Sequence, residues 1–264
     1  MTGSTEDPQA DLMRTALEIL SAGEANGVDM RLLGGVAIRR RAGGWTIPGA
    51  PRVFADIDIV TDRKGKKKAG SVFSELGFRG KEPFNSVNPM RMVFYSDAHP
   101  FHVDVFVEEF EMCHRLNFAK RLRVDPVTLP CAELLLTKLQ IVHLNSKDVS
   151  DVITLLVTQS LREDSDDGIN MAVVARVLAA DWGFWRTATG NLRRISELSR
   201  EIPLADADRE KLDEQIATLS ARIEAEQKSL GWKVRSRVGE KRQWYLEPEE
   251  IEHEVGYGVN GHGG

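Results

Sequence analysis

The stretch Val53-Phe-Ala-Asp-Ile-Asp-Ile-Val60 constrains the fold more than any other part of the chain. Apolar and acidic residues alternate there with a period of two, the pattern of a half-buried β-strand. In a strand, residues i and i+2 face the same side, so Asp56 and Asp58 point together while Ile57 and Ile59 face a core. Two adjacent carboxylates repel each other, so a cation or a proton must be shared between them. A later alternation, His102-Val-Asp-Val-Phe106, adds a third acid, Asp104, opposite Val103 and Val105. Three hard oxygen ligands on neighbouring strands are what one or two Mg²⁺ ions require. The competing reading is a set of acids on a solvated strand face.

Upstream, Met30-Arg-Leu-Leu33 reads as a short strand that breaks at Gly34-Gly35 and restarts as a helix through Ile38, with a loop from Arg39 to Pro51. Without a Cβ, the backbone at Gly34 and Gly35 can approach a ligand closely, and amides opening the next helix can receive phosphate oxygens. Leu12, Ala16, Leu17, Ile19 and Leu20 mark a first helix, and Phe73, Leu76 and Phe78 a short one ending near Gly77. Residues 91–96 and 101–107 read as two strands around the turn Asp97-Ala-His-Pro100. From Pro130 onward the pattern is helical, over 134–144, 149–161, 171–178, 182–198 and 206–230. Leu212, Ile216, Leu219 and Ile223 form one narrow stripe, read as a packed helix rather than a coiled coil. Loose tails are expected at 1–10 and 247–264, flanking a core at 11–128 and a helical domain at 129–246.

Composition narrows the function. With 35 Lys plus Arg against 40 Asp plus Glu, the formal charge is −5, which argues against nucleic-acid binding through overall charge. Cys113 and Cys131 form no CxxC pair and no Cys/His cluster, so neither a disulfide scaffold nor a structural zinc site is expected. No apolar run approaches the ~20 residues that span a bilayer, and the N-terminus has no apolar signal core, so no membrane partner and a cytoplasmic location are expected.

A strand ending in Gly-Gly, a paired-acid strand and a later single-acid strand make an ordered pattern. In this the chain resembles the polymerase-β-like nucleotidyltransferase superfamily. The resemblance implies an α+β fold, with a mixed sheet flanked by helices and a helical C-terminal half. Arg52 lies four residues before Asp56, and the segment Glu133-Leu-Leu-Leu-Thr-Lys-Leu139 is followed by Lys147-Asp-Val-Ser-Asp151. These flanks resemble the AbiEii-type nucleotidyltransferases, toxins of type IV toxin–antitoxin systems, over roughly residues 30–160. Two departures stand out: twenty residues separate Gly35 from Asp56, and Phe54 occupies a place where Ser or Thr is common.

The resemblance implies that Asp56, Asp58 and Asp104 are catalytic and hold two Mg²⁺ ions, and that Gly34, Gly35, Arg52, Lys138 and Asp148 bind an NTP. The acceptor it implies is tRNA or another RNA, with a cognate antitoxin as partner. Aminoglycoside or lincosamide nucleotidyltransferases share the signature, so an antibiotic hydroxyl is the alternative acceptor. A catalytically silent binding module is the alternative of another class. Arg52 can pair with Asp56 or hold a phosphate; Asp148 can orient Lys138 or cap a helix. The basic run Arg63-Lys-Gly-Lys-Lys-Lys68 can guide RNA phosphates or be a solvated loop. His102, three residues after His99, could form a His–Asp hydrolase site with Asp104, and Trp182, Phe184 and Trp185 read as core rather than a base-stacking platform.

Overall fold

The structure, a computed structural model, describes residues 8–248. The first half alternates helices and strands: α1 (Pro8–Ala25), β1 (Met30–Leu33), α2 (Gly34–Arg41), β2 (Asp56–Thr61), α3 (Arg63–Glu75), β3 (Arg79–Gly80) and the single turn α4 (Phe84–Val87). The antiparallel pair β4 (Arg91–Tyr95) and β5 (His102–Val107) follows, then the small hairpin β6 (Glu109–Glu111) and β7 (Arg115–Asn117). The second half contains α5 (Cys131–Leu139), α6 (Ser146–Thr158), the two-residue strands β8 (Leu161–Arg162) and β9 (Ile169–Asn170), and then α7 (Met171–Ala180), α8 (Trp182–Leu198), α9 (Asp206–Ala225) and α10 (Leu230–Val238). Among the described residues no helix is long and apolar enough to cross a membrane.

Five strands form one mixed sheet in the order β1-β2-β5-β4-β3, with β2 and β5 parallel and the other neighbours antiparallel. Its faces differ as the alternation requires. Met30, Leu32, Ile57, Ile59, Val103, Val105, Met92 and Phe94 form one face and are all buried. Helices α1 and α3 cover it, and Phe73 of α3 stacks on Phe94 with ring centroids 4.0 Å apart. Asp56, Asp58, His102, Asp104 and Arg91 stand on the other face. Residues 127–129 run along the free edge of β1, where Leu32 exchanges backbone hydrogen bonds with Val127 and Leu129, so that edge is not left open.

The helical half shares a continuous hydrophobic core with the sheet. Helix α5 is its axis: every residue but Lys138 is buried, beneath α2, α6, α7 and α8. The stripe Leu212, Ile216, Leu219 and Ile223 is buried, with α9 packed on α6, α7 and α8, the packed-helix arrangement. Trp182 and Phe184 are buried core residues. Cys113 and Cys131 are buried and unbridged.

Several expectations need correction. Pro8 to Ala10 belong to α1 rather than to a tail, and the Gln9 side chain bonds both backbone groups of Phe54 at 2.8 and 3.1 Å. Glu247 and Pro248 are described and line a cleft; the rest of both expected tails lies outside the described residues. The basic run 63–68 is helix rather than loop, because Asp62 caps α3 by accepting from the Gly65 amide at 2.6 Å. The helix expected over 206–230 stops at Ala225, and Ser229 caps a separate α10.

Candidate functional site

The strand register places Asp58 beside Asp104, and Asp56 beside His102, across the parallel β2–β5 pair. Leu33 pairs with Asp58 on the other side, so the Gly34-Gly35 turn opens next to the acids. Gly34 has φ +69°, and a Cβ there would lie 2.0 Å from Asp58 Oδ2. Both the left-handed backbone and the carboxylate resting on it require glycine. A Cβ on Gly35 would lie 2.8 Å from the Phe54 ring and 3.2 Å from Arg52 Nη2. Phe54 thus covers Gly35 and forms a floor for Arg52, whose guanidinium lies 4.9 Å above the ring.

The opposite wall is built by α5 and α6. Lys138 Nζ lies 3.2 Å from Asp148 Oδ1 and 2.9 Å from Asp151 Oδ2. Arg52 Nε donates to Asp151 Oδ1 at 3.2 Å and does not pair with Asp56. Asp148 also closes a capping box with Asn145 at the start of α6, so its capping and lysine-orienting roles coexist. Burial alone would lower the Lys138 pKa, but Asp151, Asp148 and Asp58 outweigh it and raise the pKa, fixing the ammonium as a cation.

Burial first, and the charges of Asp56 and Asp104 second, push the Asp58 carboxyl well above the usual carboxylate range; Lys138 and Arg91 oppose this only in part. An acid surrounded by acids on hard oxygen donors is the environment a divalent cation would relieve, so Asp56 and Asp58 fit a metal site. Asp104 stands differently. Arg91 Nε donates to its Oδ1 at 3.0 Å, with Nη2 at 2.9 Å, and His102 Nε2 lies 3.3 Å from Oδ2. Burial would raise this carboxyl too, but the His102 hydrogen bond and the Arg91 charge overcome it and hold the pKa below the usual value. With Asp104 so engaged, no three acidic, histidine or cysteine side chains among the described residues converge to hold an ion. His99 is elsewhere, on Asp11 and stacked with Phe78 and Phe101, so the two histidines do not join in one site.

Between these walls lies a cleft of about 870 Å³, large enough for a nucleotide with a small second substrate. Its far end is formed by the β6–β7 hairpin, with Glu109, Glu111 and Arg115, and by Leu246 and Glu247 near the end of the described chain. The strap ending there is anchored where Leu246 N–H donates to the Cys113 carbonyl at 2.9 Å. The lining carries seven carboxylates, Asp56, Asp58, Asp104, Glu109, Glu111, Asp148 and Glu247, against three fixed cations, Arg91, Arg115 and Lys138. Much of the basic run at 63–68 has structural partners: Arg63 pairs with Glu108 at 3.1 Å, Lys66 donates to the Asn88 and Pro89 carbonyls at 3.0 and 2.8 Å, and Lys68 to the Asn26 carbonyl at 2.9 Å.

Gly34, Gly35, Asp56, Asp58 and Asp104 therefore meet Arg52, Lys138 and Asp148 around one cleft and its flank. Sequence reasoning missed Arg91, undervalued Asp151, and did not see the acidic far end. Arg91 had a signal: a hairpin turning at 97–100 pairs Val93 with Asp104, and Arg91 shares Val93's face.

The sequence matches no protein-family model and no curated protein at a significant level. Among solved structures, the chain is similar to the solution structure of the antibiotic-resistance factor ANT(2'')-Ia, with 12% identity and a TM-score of 0.42 over 73% of this chain and 97% of that one. It is also similar to the crystal structure of ANT(2'')-Ia in complex with adenylyl-2''-tobramycin, with 15% identity and a TM-score of 0.39 over 55% and 87% of the two chains.

Proposed function

We propose that this protein is a metal-dependent nucleotidyltransferase that moves an NMP from an NTP to a hydroxyl of a small, polycationic acceptor of the aminoglycoside kind. The observation that carries the reading is the meeting of Asp56, Asp58 and Asp104 with the Gly34 turn and Lys138 around one cleft. Residues 11–128 supply the transferase core and residues 129–246 the helical wall.

Asp56, Asp58 and a released Asp104 would hold the divalent cations, which when bound supply charge neutralisation on the phosphates and a more acidic acceptor hydroxyl. The amides opening α2 at Gly34 and Gly35 receive phosphate oxygens, Arg52 contributes positive charge behind that turn, and Lys138 offsets the polyphosphate charge. Asp148 and Asp151 hold Lys138 in place. The acceptor oxygen attacks the α-phosphorus, its bond to the bridging oxygen breaks, and pyrophosphate leaves. Asp104 takes the hydroxyl proton.

The charge of the far end selects among acceptors. Arg115 pairs with Glu111 at 2.6 Å and lies 3.7 Å from Glu109, so with Glu247 the far end keeps an excess of negative charge, which attracts ammonium groups and repels a phosphate backbone. Together with the tied-down side chains of the 63–68 run, this favours an antibiotic-like acceptor over tRNA or another RNA, and leaves the toxin–antitoxin reading, with its antitoxin partner, without a feature of the cleft to rest on. Use of cellular NTP accords with a cytoplasmic location.

The test is mass spectrometry of tobramycin-class aminoglycosides, lincosamides and total RNA incubated with the protein, Mg²⁺ and each NTP. A gain of one NMP on an aminoglycoside, absent with Asp58→Asn, is expected. No mass gain on any acceptor, with NTP still raising the melting temperature, would reassign the protein as a binding module, and an NMP gained by RNA alone would overturn the acceptor assignment.

A further inference from the structure

Arg91 holds the carboxylate of Asp104, the third acid of the cleft. Its guanidinium meets Oδ1 at 2.9–3.0 Å through two nitrogens, and His102 faces Oδ2 at 3.3 Å. Oδ1 is thereby occupied by Arg91, and Oδ2 has the His102 ring nitrogen beside it. The backbone of Arg91 is fixed, since Asn88 Oδ1 accepts from the Met90 and Arg91 amides at 3.2 and 3.1 Å. The side chain is not walled in: it is 23% exposed, lines the cleft, and lies over the Phe106 ring at 5.1 Å.

We propose that Arg91 is a positioning residue that keeps the Asp104 carboxylate engaged, and so keeps it from joining Asp56 and Asp58 on a metal, until a metal-bound nucleotide enters. A guanidinium remains charged at any working pH, so a change of pH does not release it from the carboxylate, and a phosphate is the competitor its geometry suits best. The polyphosphate is the anion the reaction brings, and Arg91 is long enough to swing from the sheet into the cleft. Asp104 then exchanges one cation for another. Metal and nucleotide consequently bind with positive coupling, each removing what hinders the other. The identity of the incoming anion rests on the nucleotidyl-transfer reading; the block on metal binding does not.

The test is a titration with Mn²⁺ alone, followed by electron paramagnetic resonance, on the unaltered protein and on Arg91→Gln and Arg91→Met, each checked for folding by circular dichroism. The latch predicts that the variants bind Mn²⁺ without nucleotide about tenfold more tightly, that NTP no longer strengthens Mn²⁺ binding in them, and that adding Asp104→Asn removes the gain. A merely structural role for Arg91 would leave affinity unchanged or weaken it, and either result in a folded variant overturns the latch. If Mn²⁺ affinity rises while the unaltered protein transfers no nucleotide, the latch stands and the reaction assignment fails. If transfer occurs and Mn²⁺ affinity does not rise, the latch alone fails.

Discussion

Replacing Lys138 with Met removes the cation shared by Asp148 and Asp151 while keeping most of the side-chain volume. The three side chains are 13%, 7% and 3% exposed, so water cannot screen what is left. Breaking a buried ion pair by deleting one partner costs about 3–5 kcal/mol, because the remaining charge has no compensation. Here Arg52 still holds Asp151 and Asn145 still caps with Asp148, which places the cost near 3 kcal/mol. At about 2–4 °C per kcal/mol for a chain approaching this size, the melting temperature falls by about 6–12 °C. Thermal unfolding by circular dichroism measures it, and a double-mutant cycle with Asp151→Asn measures the coupling. A fall under about 2 °C, or single-variant effects that add within about 0.5 kcal/mol, would refute the claim that these groups act as one buried network.

Other consequences follow from the same geometry. Gly34→Ala places a methyl on Asp58 Oδ2 at a positive φ; it costs upward of about 1–2 kcal/mol in backbone strain and displaces the carboxylate, so transfer is lost while circular dichroism stays native. Asp58→Asn relieves the crowding that raises the Asp58 carboxyl, so without metal the variant melts higher than the unaltered protein, whereas Mg²⁺ added together with NTP raises the melting temperature of the unaltered protein more than that of the variant. His114 is buried, bonded to Thr187 and stacked on Phe184, and burial lowers its pKa to about 4 despite Asp181. It stays neutral in the fold, so its stabilisation is complete above the unfolded value near 6.5 and fades as pH drops from 6.5 to 4, by about 3 kcal/mol in total; His114→Gln should flatten that part of the stability–pH curve. Glu109→Gln with Glu111→Gln should raise KM for a polycationic acceptor several-fold and leave KM for the NTP unchanged.

How much of this was legible beforehand depends on the range of the interaction. The alternation at 56–60 announced both the buried isoleucines and the acids on the opposite, cleft-facing side, because strand period alone decides faces. The Gly34-Gly35 break and the 91–107 hairpin were readable for the same local reason. The start of α3 was not, since a lysine-rich run looks solvated until Asp62 caps it and Gly65 settles against Thr61. Asp151 gained its importance from Arg52, 99 residues away, a partner no local pattern reveals. The far end of the cleft was invisible because its carboxylates come from a three-residue strand, β6, and from a strap docked on Cys113. Three acids in the right order were visible; that one of them is held by an arginine from the next strand was not.

The most direct test of nucleotidyl transfer is to compare NTP labelled at the α-phosphorus with NTP labelled at the γ-phosphorus, in the presence of Mg²⁺ and an aminoglycoside. The account predicts α-label on the acceptor, one pyrophosphate released per acceptor modified, no γ-label on the acceptor, and none of this with Asp58→Asn. Label on the acceptor from the γ-position, or acceptor labelling that survives Asp58→Asn, would contradict it.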